Sequence, residues 1–139
     1  NAREKASFLK DNILPISECG QLKFTKAGEE ILPGFGIMAA NGHTEAMMLP
    51  MIRYRDKTVV FMADLLPSTG HIPLPWIMAY DVRPLISLTE KESFLNKAAD
   101  ENFVLFFEHD PVSECATVIR TEKGIRLDQT YKLDDFFGK

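Results

Sequence analysis

His43, Asp64 and His109 are the residues of this chain best suited to hold a cation together. His43 stands in Asn41-Gly42-His43-Thr44, Asp64 closes the run Thr58-Val59-Val60-Phe61-Met62-Ala63-Asp64, and His109 lies in Phe106-Phe107-Glu108-His109-Asp110. Each adjoins an apolar, β-compatible segment. Each side chain is therefore expected at a strand end, where loops from separate strands converge on a common point. Two imidazoles and one carboxylate suit zinc, and also iron or manganese. From the residues alone a second reading stays open, in which a lone histidine after glycine is a satisfied loop residue.

The elements that must position these residues are legible in outline. Asn1 to Ile13 carries Ala2, Ala6, Leu9 and Ile13 at helical spacing, with Asn1 as N-cap and Glu4 three residues on, and Pro15 is expected to end the helix. Gln21 to Thr25 and Glu30 to Ala39 read as short strands around the turn Lys26-Ala27-Gly28, with Pro33-Gly34 as punctuation. Met47 to Tyr54 and Thr58 to Ala63 have the form of a hairpin joined by Arg55-Asp56-Lys57, whose basic residues belong to a solvated tip. Pro50 cannot donate to a ladder, so it predicts an edge or a bulge.

The Pro-rich stretch from Leu65 to Pro84 cannot be one regular helix, although Trp76 to Tyr80 could form a short turn of one. Thr89-Glu90-Lys91-Glu92 is a capping-box pattern, and Phe94, Leu95, Ala98 and Ala99 share the face of a helix from about Glu90 to Asp100. Phe103 to Phe107 reads as a buried strand leading to His109. Cys115 to Thr121 and Ile125 to Tyr131 form a hairpin about Glu122-Lys123-Gly124.

With 139 residues, 45% of them hydrophobic, the chain suits a single core. A net charge of −4 offers no clustered cations to neutralise phosphates, so nucleic acid is not an expected partner. Cys19 and Cys115 lie far apart and away from zinc-ligand spacing, and both are expected to be buried free thiols. No apolar run has the length of a membrane span and no signal-like pattern opens the chain, which points to the cytoplasm.

The order Gly42-His43-Thr44, then Asp64, then His109 resembles the C-terminal half of the metallo-β-lactamase-fold hydrolases. Their pattern is a Gly-His-Thr loop, a strand-terminal Asp and a last strand-terminal His. The His-x-His-x-Asp-His cluster of that family's N-terminal half does not occur among the three histidines His43, His71 and His109. The resemblance therefore implies that residues 1–139 are the C-terminal half of a single domain. The expected fold is α+β, a mixed sheet with flanking helices that forms one layer pair of an αββα sandwich. Ala63 stands where many members have glycine before the Asp, and Glu45-Ala46-Met47 stands where many have Pro-Gly-His.

What the resemblance implies about chemistry follows residue by residue. His43 would bind a first metal, Asp64 would bridge two and serve as the catalytic carboxylate, and His109 would bind the second. Two zinc ions are expected in the complete protein, with iron or manganese as alternatives. The Phe-rich strand before His109, and the helix ahead of it, resemble the lactonase and organophosphate-hydrolase-like or glyoxalase-II-like branch. Small-molecule esters, lactones or thioesters are the implied substrates. His71, Trp76 and Tyr80 are candidates for substrate contact, because in related hydrolases this segment covers the pocket; a loop anchor and plain core are their ordinary readings. Asp81 could assist Tyr80 in positioning, and Glu108 and Asp110 could support His109 or face solvent.

The alternatives are a non-catalytic half-domain that self-associates and a di-iron, oxygen-handling member of the superfamily. With half of the ligands and half of the sandwich, the chain alone is expected to be inactive. Its sheet is expected to turn Val59, Phe61, Leu105 or Phe107, or their neighbours across the pleat, toward another chain.

Overall fold

A computed structural model describes residues 1–137. Seven strands form one sheet and lie in it in chain order: β1 (Glu30–Leu32), β2 (Phe35–Ala40), β3 (Met47–Tyr54), β4 (Lys57–Phe61), β5 (Val104–Phe106), β6 (Cys115–Thr121) and β7 (Gly124–Tyr131). All neighbours are antiparallel except β4 and β5, which pair in parallel with Val59, Val60 and Phe61 opposite Val104, Leu105 and Phe106. A parallel pair needs a long crossover, and this one contains α2 (Pro84–Asp100). The remaining helices are α1 (Lys10–Glu18) and α3 (Leu133–Phe137), with 3-10 turns at Glu4–Ala6 and Thr69–His71. This is the expected α+β class.

Alternation along the strands sends successive side chains to opposite faces of the sheet. On one face Leu49, Val60, Leu105, Ala116 and Val118 pack with Phe94, Leu95 and Ala98 of α2 in the main core. On the other face Val59, Val104 and Cys115 form a smaller cluster, flanked by Phe106, Tyr131, Leu133 and Phe136. The expected grouping of Val59 and Phe61 with Leu105 or Phe107 crosses the pleat, because Val59 pairs with Val104. Ile52, opposite Val59, remains 46% exposed on this second face.

Several boundaries differ from the sequence reading. Pro15 lies inside α1 and does not end a helix from Asn1; α1 buries no residue. Asn1 caps no such helix, although its Oδ1 accepts from the N–H groups of Arg3 and Glu4 at 3.0 Å each, ahead of the 3-10 turn Glu4–Ala6. Gln21 to Thr25 is not a strand. The run from Glu30 turns at Pro33-Gly34, where Gly34 has φ +80, and forms two strands rather than one. Trp76 to Tyr80 has no helical turn.

The largest revision concerns α2. It begins at Pro84, whose fixed φ and missing N–H suit a first helical position, so Thr89 is mid-helix and its hydroxyl donates to Leu85 O at 3.2 Å. The capping box is not used. Pro50 sits within β3, yet its partner Ile37 commits its own N–H and C=O to Glu29 and Gly28. Pro50's nitrogen consequently faces the β4 side, just past the last paired residues there, Met51 and Val60. The missing donor is placed where the ladder has ended, the local edge that proline requires. Cys115 is buried and Cys19 exposed, so only one thiol matches expectation.

Candidate metal centre and pocket

Strand polarity assembles the site. Since β2 and β4 are both antiparallel to β3, and β4 is parallel to β5, the ends of β2, β4 and β5 emerge at one edge of the sheet. His43, Asp64 and His109 each stand three residues beyond such an end, after Ala40, Phe61 and Phe106. The chain thus returns to the same edge three times with the same short overhang.

Asp64 lies between the two imidazoles. Its Oδ2 is 3.3 Å from His43 Nε2 and its Oδ1 is 3.3 Å from His109 Nε2. Ala63, just before it, has φ +42, a left-handed conformation that glycine adopts without cost, which accounts physically for glycine as the alternative residue there. On its far side His43 Nδ1 lies 2.9 Å from Oδ1 of Asp81, whose side chain is 4% exposed. If Asp81 accepts the Nδ1 proton, the neutral ring presents an unprotonated Nε2 to a carboxylate oxygen. That contact is favourable only with a cation, a proton or a metal ion, between the two.

The His43 loop is clamped on three sides. From α2, the Glu90 carboxylate accepts from the N–H groups of Asn41 at 2.8 Å and Gly42 at 3.0 Å. From the segment before α2, the N–H groups of Val82 and Arg83 reach the carbonyls of His43 and Gly42 at 3.2 and 2.8 Å, and Arg83 Nε donates to Asn41 O at 2.8 Å. From the N-terminal turn, buried Glu4 accepts the Glu45 N–H at 2.7 Å. Gly42 permits this closeness: a Cβ there would fall 2.2 Å from Ser87 Oγ and 2.3 Å from Ser87 N.

His109 is held by its neighbour. Asp110 accepts from the N–H and hydroxyl of Thr69 at 2.9 and 2.8 Å, and from the N–H groups of Val112 and Ser113 at 2.9 and 2.8 Å. Burial works against the Asp110 charge, but these donors outweigh it and bring the carboxyl down to about 2. The His109 N–H also reaches Pro67 O at 3.2 Å. Glu108 is exposed.

A pocket of about 450 Å³ opens beside His109, lined by Ser68, His71, Ile77, Met78, Tyr80 and others. His71 Nδ1 is 2.9 Å from Ser68 Oγ, and burial, followed by the Lys91 charge, lowers its pKa despite Asp81, so the ring is neutral at neutral pH. Tyr80 also meets His43 edge to face at 5.9 Å between ring centres. Trp76 does not line this pocket and is 66% exposed.

Chain folds of this shape occur in solved structures. AidC, a dizinc quorum-quenching lactonase solved with a homoserine product, is 23% identical, with a TM-score of 0.72 over 88% of this chain. The hydrolase AbOPH of the beta-lactamase superfamily is 18% identical, with a TM-score of 0.75 over 90% of this chain. A probable metal-dependent hydrolase from Staphylococcus aureus is 24% identical, with a TM-score of 0.69 over 82%. The chain has part of a metallo-β-lactamase fold. It spans 42–44% of the length of these three proteins. No protein-family model and no curated protein matches the sequence.

The structure brings His43, Asp64 and His109 together at one edge of the sheet. Among the described residues no group of three or more His, Cys, Asp or Glu side chains is arranged to hold one ion. Sequence reasoning missed the roles of Glu4, Glu90 and Lys91, which it placed only within helix-capping patterns at Asn1–Glu4 and Thr89–Glu92. No described helix is long and apolar enough to cross a membrane.

Proposed function

We propose that this chain contributes the Gly-His-Thr loop, the bridging carboxylate and the last histidine of a dinuclear metallohydrolase, with zinc as the metal. The observation that carries this reading is the placement of Asp64, one oxygen toward each imidazole, with His43 held from behind by Asp81. The donors are those of zinc sites, and a histidine whose second nitrogen is fixed by a carboxylate is a usual outer-shell arrangement.

Bound metal ions would supply a hydroxide at neutral pH and polarise the substrate carbonyl. The chain's own residues do the rest. Asp64 would offer an oxygen to each ion, and Asp81 would keep His43 Nε2 free for one of them. Asp110 would hold the His109 loop against Thr69. His71, neutral and fixed by Ser68, would offer Nε2 toward a substrate in the pocket, while Ile77 and Met78 supply an apolar wall. Small esters, lactones or thioesters fit this combination of polar centre and apolar wall.

The remaining ligands would come from residues outside residues 1–139, in the N-terminal half of one shared domain. Metal analysis of the full protein, together with hydrolysis of acyl-homoserine lactones, aryl esters and thioesters, tests this reading. Two zinc ions per subunit and turnover of one of these classes are expected; absence of both metal and turnover would defeat it. Two iron ions with redox activity would instead favour the oxygen-handling reading.

A non-catalytic, self-associating half-domain is the second reading. It is favoured by the exposed apolar residues of the N-terminal segment, where Phe8, Leu9, Ile13, Leu14 and Ile16 are 43–56% accessible, and by Ile52 on the uncovered sheet face. A metal-free oligomer would support it.

A further inference from the structure

The core-facing stripe of α2 is Ser87, Lys91, Phe94, Leu95 and Ala98, and a lysine 2% exposed is out of place there. Among the described residues no acid forms an ion pair with its ammonium. Instead Lys91 Nζ donates to the carbonyls of Pro73 at 2.9 Å, Leu74 at 3.2 Å and Trp76 at 2.7 Å. An ammonium has three N–H groups, and all three are accounted for.

The segment so held has no helix or strand to organise it. Pro73 and Pro75 remove two of its N–H groups, and its inward carbonyls need donors from elsewhere. Beyond Trp76 the same segment runs through Ile77, Met78 and Tyr80, which line the pocket with His71 and His109, and ends at Asp81 against His43.

We propose that Lys91 is a positioning residue whose buried ammonium fixes the strap of residues 73–80, and through it the apolar wall that selects the acyl part of a substrate. The role rests on reading this pocket as the substrate site. Lys91 acts through the strap and touches neither the candidate metal ligands nor the pocket. Burial lowers its pKa to about 8 against the pull of Asp81, so the grip would weaken in mild alkali. Asp81 and His71 are the titratable groups that it faces electrostatically.

Trp76, the single tryptophan of this chain, reports on the strap directly. Its emission, isolated in the full protein as the difference from Trp76→Phe, is expected to change with a midpoint near pH 8. The change should persist in His71→Ala, vanish in Lys91→Met, and be absent below pH 10 in Lys91→Arg, whose guanidinium stays charged. In Lys91→Met, binding of N-hexanoyl-homoserine should weaken about tenfold or more while metal content stays at the wild-type value.

An unchanged Trp76 signal and pH step in Lys91→Met would overturn the proposal, as would loss of metal together with ligand. Should Lys91→Met fail to fold, the wild-type and Lys91→Arg titrations decide, and a flat wild-type titration around pH 8 overturns it. A protein that binds neither metal nor N-hexanoyl-homoserine refutes the pocket assignment instead. The Trp76 titration still tests whether Lys91 holds the strap.

Discussion

Asp81 Oδ1 lies 2.9 Å from His43 Nδ1, and the carboxylate is almost wholly buried. Asp81→Asn keeps the shape and removes the charge that holds the ring. Zinc affinity is expected to fall about 10–100-fold, the usual effect of losing an outer-shell carboxylate. Chelator competition measures it, and an unchanged far-ultraviolet spectrum separates the loss from unfolding.

His43→Ala and His109→Ala should each lose one ion per subunit and nearly all hydrolysis. Asp64→Asn should lose both ions, since an amide bridges poorly and both imidazoles face this one carboxylate. Elemental analysis of the three purified variants checks the pattern; equal, undiminished metal in all three would refute the assignment.

Gly42→Ala drives a methyl carbon to 2.2–2.5 Å from Ser87, including its backbone nitrogen and Cα. The loop and α2 cannot both stay in place. A loss of about 1–3 kcal/mol is expected from overpacking of this kind, read from denaturant midpoints, and metal should fall with it. Ser87→Gly, which removes Oγ but not the backbone contacts, should restore only a part.

Cys115 is fully buried, and burial, helped by the charges of Glu114 and Asp135, pushes its thiol up to about 11. Exposed Cys19 should react with a thiol reagent at once and Cys115 only on unfolding. The folded state holds the Cys115 proton more tightly than the unfolded chain, whose ordinary value is near 9. Its contribution to stability is therefore full below pH 9 and is lost as pH rises toward 11. Cys115→Ala should flatten that alkaline decline, as denaturant titrations at pH 8, 9.5 and 11 would show.

Ligand types, strand-like runs and the closing hairpin could be read along the chain because they are local: residue chemistry, alternation and turn residues are properties of neighbours in sequence. The runs ending near Asp64 and His109, and the hairpin of β6 and β7, are of this kind. What could not be read is what depends on partners distant in sequence. Thr89-Glu90 looks like a helix start, yet Pro84 begins α2 and Glu90 serves the loop of His43, 48 or 49 residues away. Lys91, read only as part of that capping pattern, is among the most buried described residues, because the strap offers three carbonyls that only tertiary packing brings to it. The parallel pairing of β4 and β5, which puts Asp64 and His109 level with each other, likewise has no local signature. Its register is set by burial on both faces of the sheet. The sequence by itself supplied two imidazoles and a carboxylate at the ends of strand-like runs; the tertiary structure decided that the carboxylate stands between the imidazoles, and which buried groups hold the His43 loop there.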